Sequence, residues 1–361
     1  MKEALLYQRL PGGKVRCDMC AHRCVIFPGQ AGICRVRENE DGTLYSLVYG
    51  RTAGQNVDPV EKKPLFHFHP GSTAYSITTV GCNFHCHFCQ NWAIAQAIDP
   101  SQFLMGEELT PEQIVNRAID HGCKSVAYTY TEPTVFMEYA LDTAAIAHEH
   151  GLKNIFVTNG YETPEAVELI RPYLDAANVD LKSFNDSYYR KVVGATLQPV
   201  LETIRFMKSL GIWLEVTTLV VPGQNDAPEE LREIARFLAR DAGTETPWHI
   251  SRFFPGYKMS SLPPTELETL TRAREIGLEE GLPYVYVGNI GETDLENTHC
   301  PNCKLLLIDR SILGVAENRI RDGACPRCGR AIPGVGLDWL HLEREEAELS
   351  TADRVRQGMP R

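Results

Sequence analysis

The sequence of 361 residues lacks any apolar run long enough to cross a membrane, and its first residues lack the apolar segment of a secretory signal. It also lacks an excess of basic residues, because 47 Asp and Glu outnumber 36 Lys and Arg and give a net charge of −11. A field of this sign disfavours nucleic acid as a partner, since non-specific binding needs a basic surface. We therefore expect a cytoplasmic protein with no membrane partner.

Cysteine is the residue present in unusual number, and eleven of the 12 cysteines fall into three tight groups. In a large chain without a secretory signal, such groups are typical of metal sites rather than of disulfides. The length allows one large domain with small modules attached. We expect a four-cysteine region at 1–70, a large domain at 71–292, a zinc-ribbon-like module at 293–340 and a charged tail at 341–361.

Short apolar segments alternate with helical segments over residues 73–290, which is typical of βαβ units and a parallel sheet. The predicted strands are 74–80, 124–130, 154–158, 176–181, 213–221, 247–254 and 284–288. Residues 110–113 have the pattern of a capping box, and Thr163 and Thr265 begin similar segments. About 220 residues are slightly few for a closed eight-stranded barrel. We predict an α/β fold, a partial (β/α)6 TIM-type barrel with small N-terminal and C-terminal metal-binding modules.

One cysteine group directly follows the first predicted strand, and its three thiols, Cys82, Cys86 and Cys89, have C-x3-C-x2-C spacing. A closed zinc site needs four protein ligands. A four-iron cluster held by three thiolates instead keeps one iron free for a ligand that is not protein. The spacing leaves open a zinc knuckle whose fourth ligand is His85 or His87.

This motif, with the aromatic Phe88 before its last cysteine, resembles the radical S-adenosylmethionine (SAM) superfamily. The resemblance implies a four-iron–four-sulfur (4Fe–4S) cluster on the three cysteines, with SAM bound to the open iron. It also implies that the reduced cluster cleaves SAM to a 5′-deoxyadenosyl radical, which abstracts hydrogen from a substrate. A one-electron reductant such as flavodoxin or ferredoxin would then be a partner.

Polar segments follow the predicted strands, at the sheet edge where parallel α/β proteins collect their chemistry. Residues 131–133 resemble the family's glycine-glycine-glutamate-proline motif, with Tyr130 and Thr131 in place of the glycines. In the family, the carboxylate and nearby carbonyls would hold the ammonium group of SAM. The candidate SAM-binding residues are Phe88, Thr131, Glu132, Pro133, Thr158, Asn159, Asp180, Lys182, Thr218, Gly288 and Asn289.

Three of these candidates carry a more specific expectation. Asp180 and Lys182 follow a buried strand, and we expect them around the sulfonium and ribose of SAM. Gly288 has no side chain, so its backbone is expected to approach the adenine. Singly, an ion pair or a turn of this kind is ordinary, but their succession after consecutive strands predicts a SAM site.

The order of these segments over residues 74–260 resembles the activating enzymes of glycyl-radical enzymes, such as pyruvate formate-lyase activase. The chain departs from them at Val157, where they carry a cation-binding Asp, and at Thr217, where an Arg would meet the carboxylate of SAM. Phe254 replaces a histidine of the activases. We therefore do not predict the monovalent cation that those activases bind.

A closer resemblance, over residues 17–289 and including 58–65, is to the radical SAM proteins of the AmmeMemoRadiSam system. It implies association with AMMECR1-like and Memo-like proteins and leaves the substrate open between a protein and a small molecule. A rival interpretation of a different class is a metal-stapled binding module without radical chemistry. Stoichiometric zinc without iron would favour that rival.

The two remaining cysteine groups flank the large domain. Cys17, Cys20, Cys24 and Cys34 fall within 18 residues and could hold zinc or a second iron–sulfur cluster, or could be unligated. We expect a short helix before them, within residues 1–16. The C-terminal group has zinc-ribbon spacing, with a single rubredoxin-like iron as the alternative. Its members are Cys300, Cys303, Cys325 and Cys328.

Overall fold

The computed structural model describes residues 1–96, 106–291, 293–311 and 314–339, so the tail expected at 341–361 lies outside the described residues. The strands are β1 (Lys2–Glu3), β2 (Tyr7–Arg9), β3 (Val15–Cys17), β4 (Val25–Ile26), β5 (Arg37–Glu40), β6 (Thr43–Ser46), β7 (Arg51–Thr52), β8 (Gly54–Pro59), β9 (Thr73–Thr78), β10 (Glu107–Glu108), β11 (Ser125–Tyr128), β12 (Lys153–Thr158), β13 (Ala176–Asp180), β14 (Trp213–Val220), β15 (Trp248–Arg252), β16 (Val285–Gly288), β17 (Thr298–His299), β18 (Leu306–Ser311) and β19 (Gly314–Asn318). The helices are α1 (Trp92–Ala95), α2 (Pro111–Asp120), α3 (Met137–Glu149), α4 (Pro164–Ile170), α5 (Asp186–Tyr188), α6 (Leu197–Ser209), α7 (Pro228–Phe237) and α8 (Leu267–Glu279).

A sheet of eight strands forms the centre of the molecule, in the order β16-β15-β14-β13-β12-β11-β9-β8. The seven strands from β9 to β16 in this sheet are parallel, and β8 pairs antiparallel with β9. Successive parallel strands are neighbours in space, as in a barrel wound in one direction. Within the described ranges no ladder joins β8 to β16. The sheet is therefore open, and the predicted α/β fold of partial-barrel type is confirmed.

The helices begin largely where the sequence predicts. At the start of α2, the Thr110 hydroxyl accepts from the Gln113 backbone N–H at 3.3 Å, and the Gln113 side chain accepts from the Thr110 N–H at 2.8 Å. This reciprocal pair is the predicted capping box. Thr163 likewise caps α4 by accepting from the Ala166 N–H at 3.2 Å.

Two local predictions were wrong. Thr265 does not cap α8, because its hydroxyl donates to the Val220 carbonyl at 2.6 Å and accepts from the Phe253 N–H at 3.0 Å. The expected helix within residues 1–16 is replaced by β1, β2 and most of β3, with the 3-10 turn Pro11–Gly13 between β2 and β3. Here pairing with β4 and β6 overrides the weak local preference for helix.

One carboxylate ties the segment before β9 to the amino-terminal end of the barrel. Glu215, fully buried near the start of β14, accepts from the backbone N–H groups of Phe66 at 2.9 Å and His67 at 2.8 Å. Trp213 Nε1 donates to the same carboxylate at 3.0 Å, and His249 Nε2 lies 2.6 Å from it. Burial opposes ionisation of Glu215, but the hydrogen bond and charge of His249 outweigh it and hold the pKa of the carboxyl below its ordinary value.

No helix among the residues that the structure describes combines the length and apolarity needed to cross a membrane. The helices instead bury one apolar face each against the sheet, as Ile114, Val115 and Ala118 of α2 show. Strand β12 is buried along most of its length. This is the pattern of a layered α/β core.

Replacing Glu215 by alanine should destabilise the fold by about 3–5 kcal/mol, because four buried donors lose their shared acceptor. Thermal unfolding followed by circular dichroism measures the effect. The matched control is Glu279→Ala, which removes a carboxylate that pairs with Arg232 and Arg272 at the surface and should scarcely change the transition. Equal shifts for the two variants would show that Glu215 does not hold the barrel end.

Candidate active site

The three-cysteine loop leaves the carboxyl end of β9 with its backbone pressed against the N-terminal module. Gly81, directly before Cys82, has a φ of +94°. A Cβ at this position would lie 2.5 Å from Val36 Cγ1 and 3.0 Å from the Cys34 carbonyl oxygen. Both the positive φ and the close backbone restrict this position to glycine.

The three thiols of this loop are spread more widely than one metal ion requires. Cys86 is buried, and Cys82 and Cys89 are partly exposed. Their Sγ atoms do not all lie within 4.8 Å of one another, and neither His85 nor His87 joins such a group in the described ranges. Sulfurs around one zinc ion at 2.3 Å lie about 3.8 Å apart. These thiols thus do not converge as the ligands of one zinc ion do, whereas thiolates bound to different irons of a cluster need not converge in this way.

A partly buried ion pair lies beside Cys86. Lys182 Nζ is 3.0 Å from Asp180 Oδ2 and 5.7 Å from the centroid of the Phe88 ring. Burial raises the pKa of the Cys86 thiol to about 12, and the positive charge of Lys182 opposes that rise. A thiol must ionise to bind metal. The structure thus brings four predicted site residues together, and Lys182 favours the thiolate that a cluster needs.

Asn159 connects the loop after β12 to the cysteine loop. Its Nδ2 donates to Asn83 Oδ1 at 2.7 Å and lies 4.0 Å from Cys82 Sγ. Its backbone N–H donates to the Glu132 carboxylate at 2.8 Å. Two predicted residues from separate loops are therefore fixed next to the first cysteine.

Glu132 is fully buried, and its carboxylate is occupied by protein donors. They are the backbone N–H groups of Thr134 and Asn159 and the hydroxyls of Thr134 and Thr158, at 2.5–3.0 Å. A carboxylate offers about four acceptor positions. Three of these donors meet Oε1 and one meets Oε2, and together they fix the loop that begins the short turn at Pro133.

A second buried carboxyl group, that of Glu162, shares Thr158 with Glu132. Thr158 Oγ1 lies 2.9 Å from Glu132 and 2.7 Å from Glu162 Oε1, but a hydroxyl has a single proton to donate. One of the two carboxyl groups must therefore carry a proton, and the four donors that Glu132 accepts from favour Glu162 as its position. Burial and the charge of Glu132 raise the pKa of Glu162 to about 8, as this arrangement requires.

Tyr130 occupies a position where the family motif has glycine, and its φ is +65°. Its hydroxyl donates to the Asp58 carboxylate, and its carbonyl accepts from Asn91 Nδ2 at 2.7 Å. Asp58 is also paired with the buried Lys63 at 2.6 Å. These bonds hold Tyr130 in a left-handed conformation that costs a side-chain-bearing residue energy. Thr131 follows, with its hydroxyl donating to the Thr79 carbonyl at 3.0 Å.

The other predicted SAM contacts have different surroundings. Thr218 is fully buried, and its hydroxyl donates to the Leu181 carbonyl at 3.0 Å and accepts from Trp248 Nε1 at 3.0 Å. A Cβ on Gly288 would lie 3.0 Å from Glu296 Oε1, so a carboxylate covers that side of the glycine. The side chain of Asn289 donates to the backbone of β15 at 2.9 Å.

The two flanking cysteine groups differ in spread. Cys300, Cys303, Cys325 and Cys328, the C-terminal thiols, lie within 4.8 Å of one another, and two of their S···S distances are 3.6 Å. This fits one tetrahedrally coordinated ion. Cys17, Cys20, Cys24 and Cys34, the N-terminal thiols, line one cavity without converging in this way.

Several residues of this region escaped sequence reasoning. Asn83 follows Cys82, and Glu162 lies three residues after Asn159. Nothing in this spacing indicates that the two side chains are buried or that their loops lie close together. Asp58 and Lys63 belong to the segment 58–65 that was noted only for its resemblance. An acidic and a basic residue five positions apart are usually a solvated pair.

Comparison with known proteins agrees with this geometry. The family model of the Radical SAM superfamily matches residues 76–238. An uncharacterised protein of Methanocaldococcus jannaschii is 46% identical over 334 residues, which are 92% of this chain and 99% of the relative. The chain therefore belongs to the radical SAM superfamily of enzymes, whose members use a 4Fe–4S cluster and SAM.

Two more distant likenesses are to an activating enzyme and to a methyltransferase of known structure. The pyruvate formate-lyase 1-activating enzyme of Escherichia coli is 21% identical over 215 residues, covering 54% of this chain and 85% of the relative. The crystal structure of a radical SAM methyltransferase from Sphaerobacter thermophilus aligns with a TM-score of 0.47 at 16% identity, over 62% of this chain and 68% of that one.

The Glu162→Gln variant should gain stability relative to the wild type as pH rises. A carboxyl whose pKa is raised by folding stabilises the fold fully below its unfolded pKa and ceases to do so as pH rises towards about 8. The amide mimics the protonated acid, so the thermal midpoints should agree near about pH 4 and favour the variant near about pH 8.5.

The control for this experiment is Glu132→Gln, which puts an amide where four donors need an anion. We expect it to lower the midpoint at both pH values. A Glu162→Gln variant that is also destabilised at both pH values would contradict the assignment of the proton to Glu162.

Proposed function

We propose that this protein reductively cleaves SAM at a 4Fe–4S cluster bound to Cys82, Cys86 and Cys89. The bound cluster and SAM would together supply a 5′-deoxyadenosyl radical that abstracts hydrogen from a substrate. The observation that carries the proposal is that three thiols follow β9 without converging within 4.8 Å, and that no fourth Cys, His, Asp or Glu among the described residues forms such a group with them. A cluster held in this way keeps a position for a small-molecule ligand.

The protein's own residues position the cysteine ligands and balance the negative charge of the cluster thiolates. Lys182 balances the negative charge of the cluster thiolates, and Asp180 keeps the ammonium group of Lys182 in place at 3.0 Å. Asn159 orients the cysteine loop through Asn83. Glu132 fixes the loop after β11, whose carbonyls are proposed to meet the ammonium group of SAM. Exclusion of water and oxygen from this edge completes the protein's role.

The reductant and the surroundings of the enzyme are part of the proposal. Flavodoxin or ferredoxin would deliver the electron, and a reducing cytoplasm would preserve the cluster. We assign zinc to the C-terminal thiols, because their 3.6 Å contacts match the S···S separation of about 3.8 Å around one zinc ion. The resemblance to the AmmeMemoRadiSam proteins supports AMMECR1-like and Memo-like partners.

A second candidate keeps the same chemistry and specifies its target. The relatives include enzymes named as activating pyruvate formate-lyase and a putative glycyl-radical enzyme activating enzyme. The substrate would then be a glycine of a partner protein. A glycyl-radical signal in such a partner after SAM cleavage supports this candidate. Release of 5′-deoxyadenosine with a small molecule alone supports the other.

Cys86→Ala should abolish SAM cleavage. After anaerobic reconstitution with iron and sulfide, the wild type should release 5′-deoxyadenosine from SAM in the presence of dithionite, and the variant should release no more than buffer. With Cys86 replaced, only two cysteines remain to bind the cluster, which can then no longer be held in the proposed way. The matched control is Cys123→Ala, which removes a lone buried cysteine and should leave cleavage unchanged. A wild type that binds zinc and no iron would overturn the proposed function.

A further inference from the structure

The N-terminal thiols face one small cavity between the N-terminal module and the barrel. All four are free cysteines, and apolar side chains such as Met19, Ile26 and Val135 complete the cavity wall. Four thiols directed into one enclosed space, without disulfides, form a metal-ligand set. We propose that they hold a second iron–sulfur cluster of the four-iron class.

The spread of the N-terminal thiols argues for a cluster and against zinc. No three of their sulfurs lie within 4.8 Å of one another, whereas all four C-terminal thiols satisfy that limit. One zinc ion would bring its sulfurs to about 3.8 Å. A four-iron cluster takes one thiolate on each iron and so keeps the sulfurs farther apart. The same chain thus contains one four-cysteine set shaped for a single ion and one shaped for a cluster.

A buried guanidinium supplies an independent indication of an anionic occupant. Arg37 is 2% exposed and lines the cavity. Its Nη2 donates to Glu138 Oε2 at 2.7 Å, but its Nε and Nη1 are buried without a partner. Buried donors of this kind are costly unless an acceptor meets them. The sulfurs of a cluster accept such hydrogen bonds and carry negative charge.

The cavity adjoins the proposed SAM-cleaving site. Asn83 lines it, and His22 Nε2 lies 2.8 Å from the Asn83 carbonyl oxygen. Gly81 packs directly on Cys34. The peptide 81–83, which includes Cys82, therefore lies against the cavity that the N-terminal thiols line.

This proximity makes the second cluster a relay, a role that rests on the proposed function. One electron would leave the N-terminal cluster, which is oxidised by one electron, and reduce the cluster on Cys82, Cys86 and Cys89 by one. Flavodoxin or ferredoxin would restore the N-terminal cluster by donating one electron. No proton or other co-reactant is needed for this exchange.

The test uses the full chain, reconstituted anaerobically with iron and sulfide, in the triple variant Cys82→Ala, Cys86→Ala and Cys89→Ala. This variant leaves the N-terminal thiols intact. It should retain about four irons per chain and show the electron paramagnetic resonance signal of a reduced 4Fe–4S cluster, against about eight irons in the wild type. Cys20→Ala with Cys34→Ala should also retain about four irons, at the other site.

A triple variant that binds about two zinc ions and no iron, or that leaves the N-terminal thiols without metal, would overturn the second cluster. This result is independent of SAM cleavage. Iron retained by the triple variant supports the cluster even where the wild type fails to cleave SAM, and cleavage by a wild type with about four irons supports only the proposed function.

The relay has its own measurement. In Cys20→Ala with Cys34→Ala, release of 5′-deoxyadenosine driven by flavodoxin should be lost, whereas release driven by the small reductant dithionite should persist. Flavodoxin-driven release at the wild-type rate would overturn the relay. Loss of release with both reductants would also overturn the relay. The N-terminal cysteines would then be needed for the structure of the SAM-cleaving site and not for electron transfer to it.

Discussion

The backbone at Gly81 is the constraint on which the site depends. A loop that presents three thiols to one cluster must turn sharply as it leaves β9, and it must do so against the N-terminal module. At this point a Cβ would lie 2.5 Å from Val36 Cγ1. Glycine satisfies both demands, because it adopts positive φ and allows backbones to touch. The position of Cys82 is thereby coupled to the position of Cys34.

Buried carboxylates organise both ends of the barrel by the same physical means. Isolated, each would be strongly disfavoured in the interior. Glu215 at the amino-terminal end and Glu132 at the carboxyl-terminal end each collect four donors from different segments. Because the donors come from segments far apart in the chain, each carboxylate ties loops to strands. At the carboxyl-terminal end, burial and the charge of Glu132 raise the pKa of Glu162, which favours a protonated form that lets the two carboxyl groups share Thr158 with less repulsion.

The sequence could predict the features that short-range patterns determine. Strand and helix alternation, the capping box at Thr110 and the cysteine spacing are all local, and each corresponds to what the structure contains. Asp180 and Lys182 were also placed correctly beside a strand end, because parallel strands expose their carboxyl ends together. The contact of Lys182 with Phe88 joins two loops almost a hundred residues apart and has no local signal.

The rest depended on tertiary contacts that no pattern reveals. Thr265 is a residue type that commonly caps helices, yet its hydroxyl is hydrogen-bonded to two backbone groups at the ends of neighbouring strands. The Thr218 hydroxyl accepts from Trp248 of the neighbouring strand β15, a contact that depends on how the two strands pair. The left-handed Tyr130 depends on Asp58, which lies 72 residues earlier in the chain.

The two flanking cysteine groups show that spacing alone does not predict how closely the sulfurs approach one another. Both flanking groups begin with C-x2-C, yet only one converges on a point. In the C-terminal module a second C-x2-C repeats the same tight turn, with the Lys304 and Gly329 N–H groups each donating to the first cysteine of its pair. Two such turns bring four sulfurs together. Cys24 and Cys34 instead lie singly on separate connections of the N-terminal module, before β4 and β5. Their sulfurs therefore line a cavity without converging on one point.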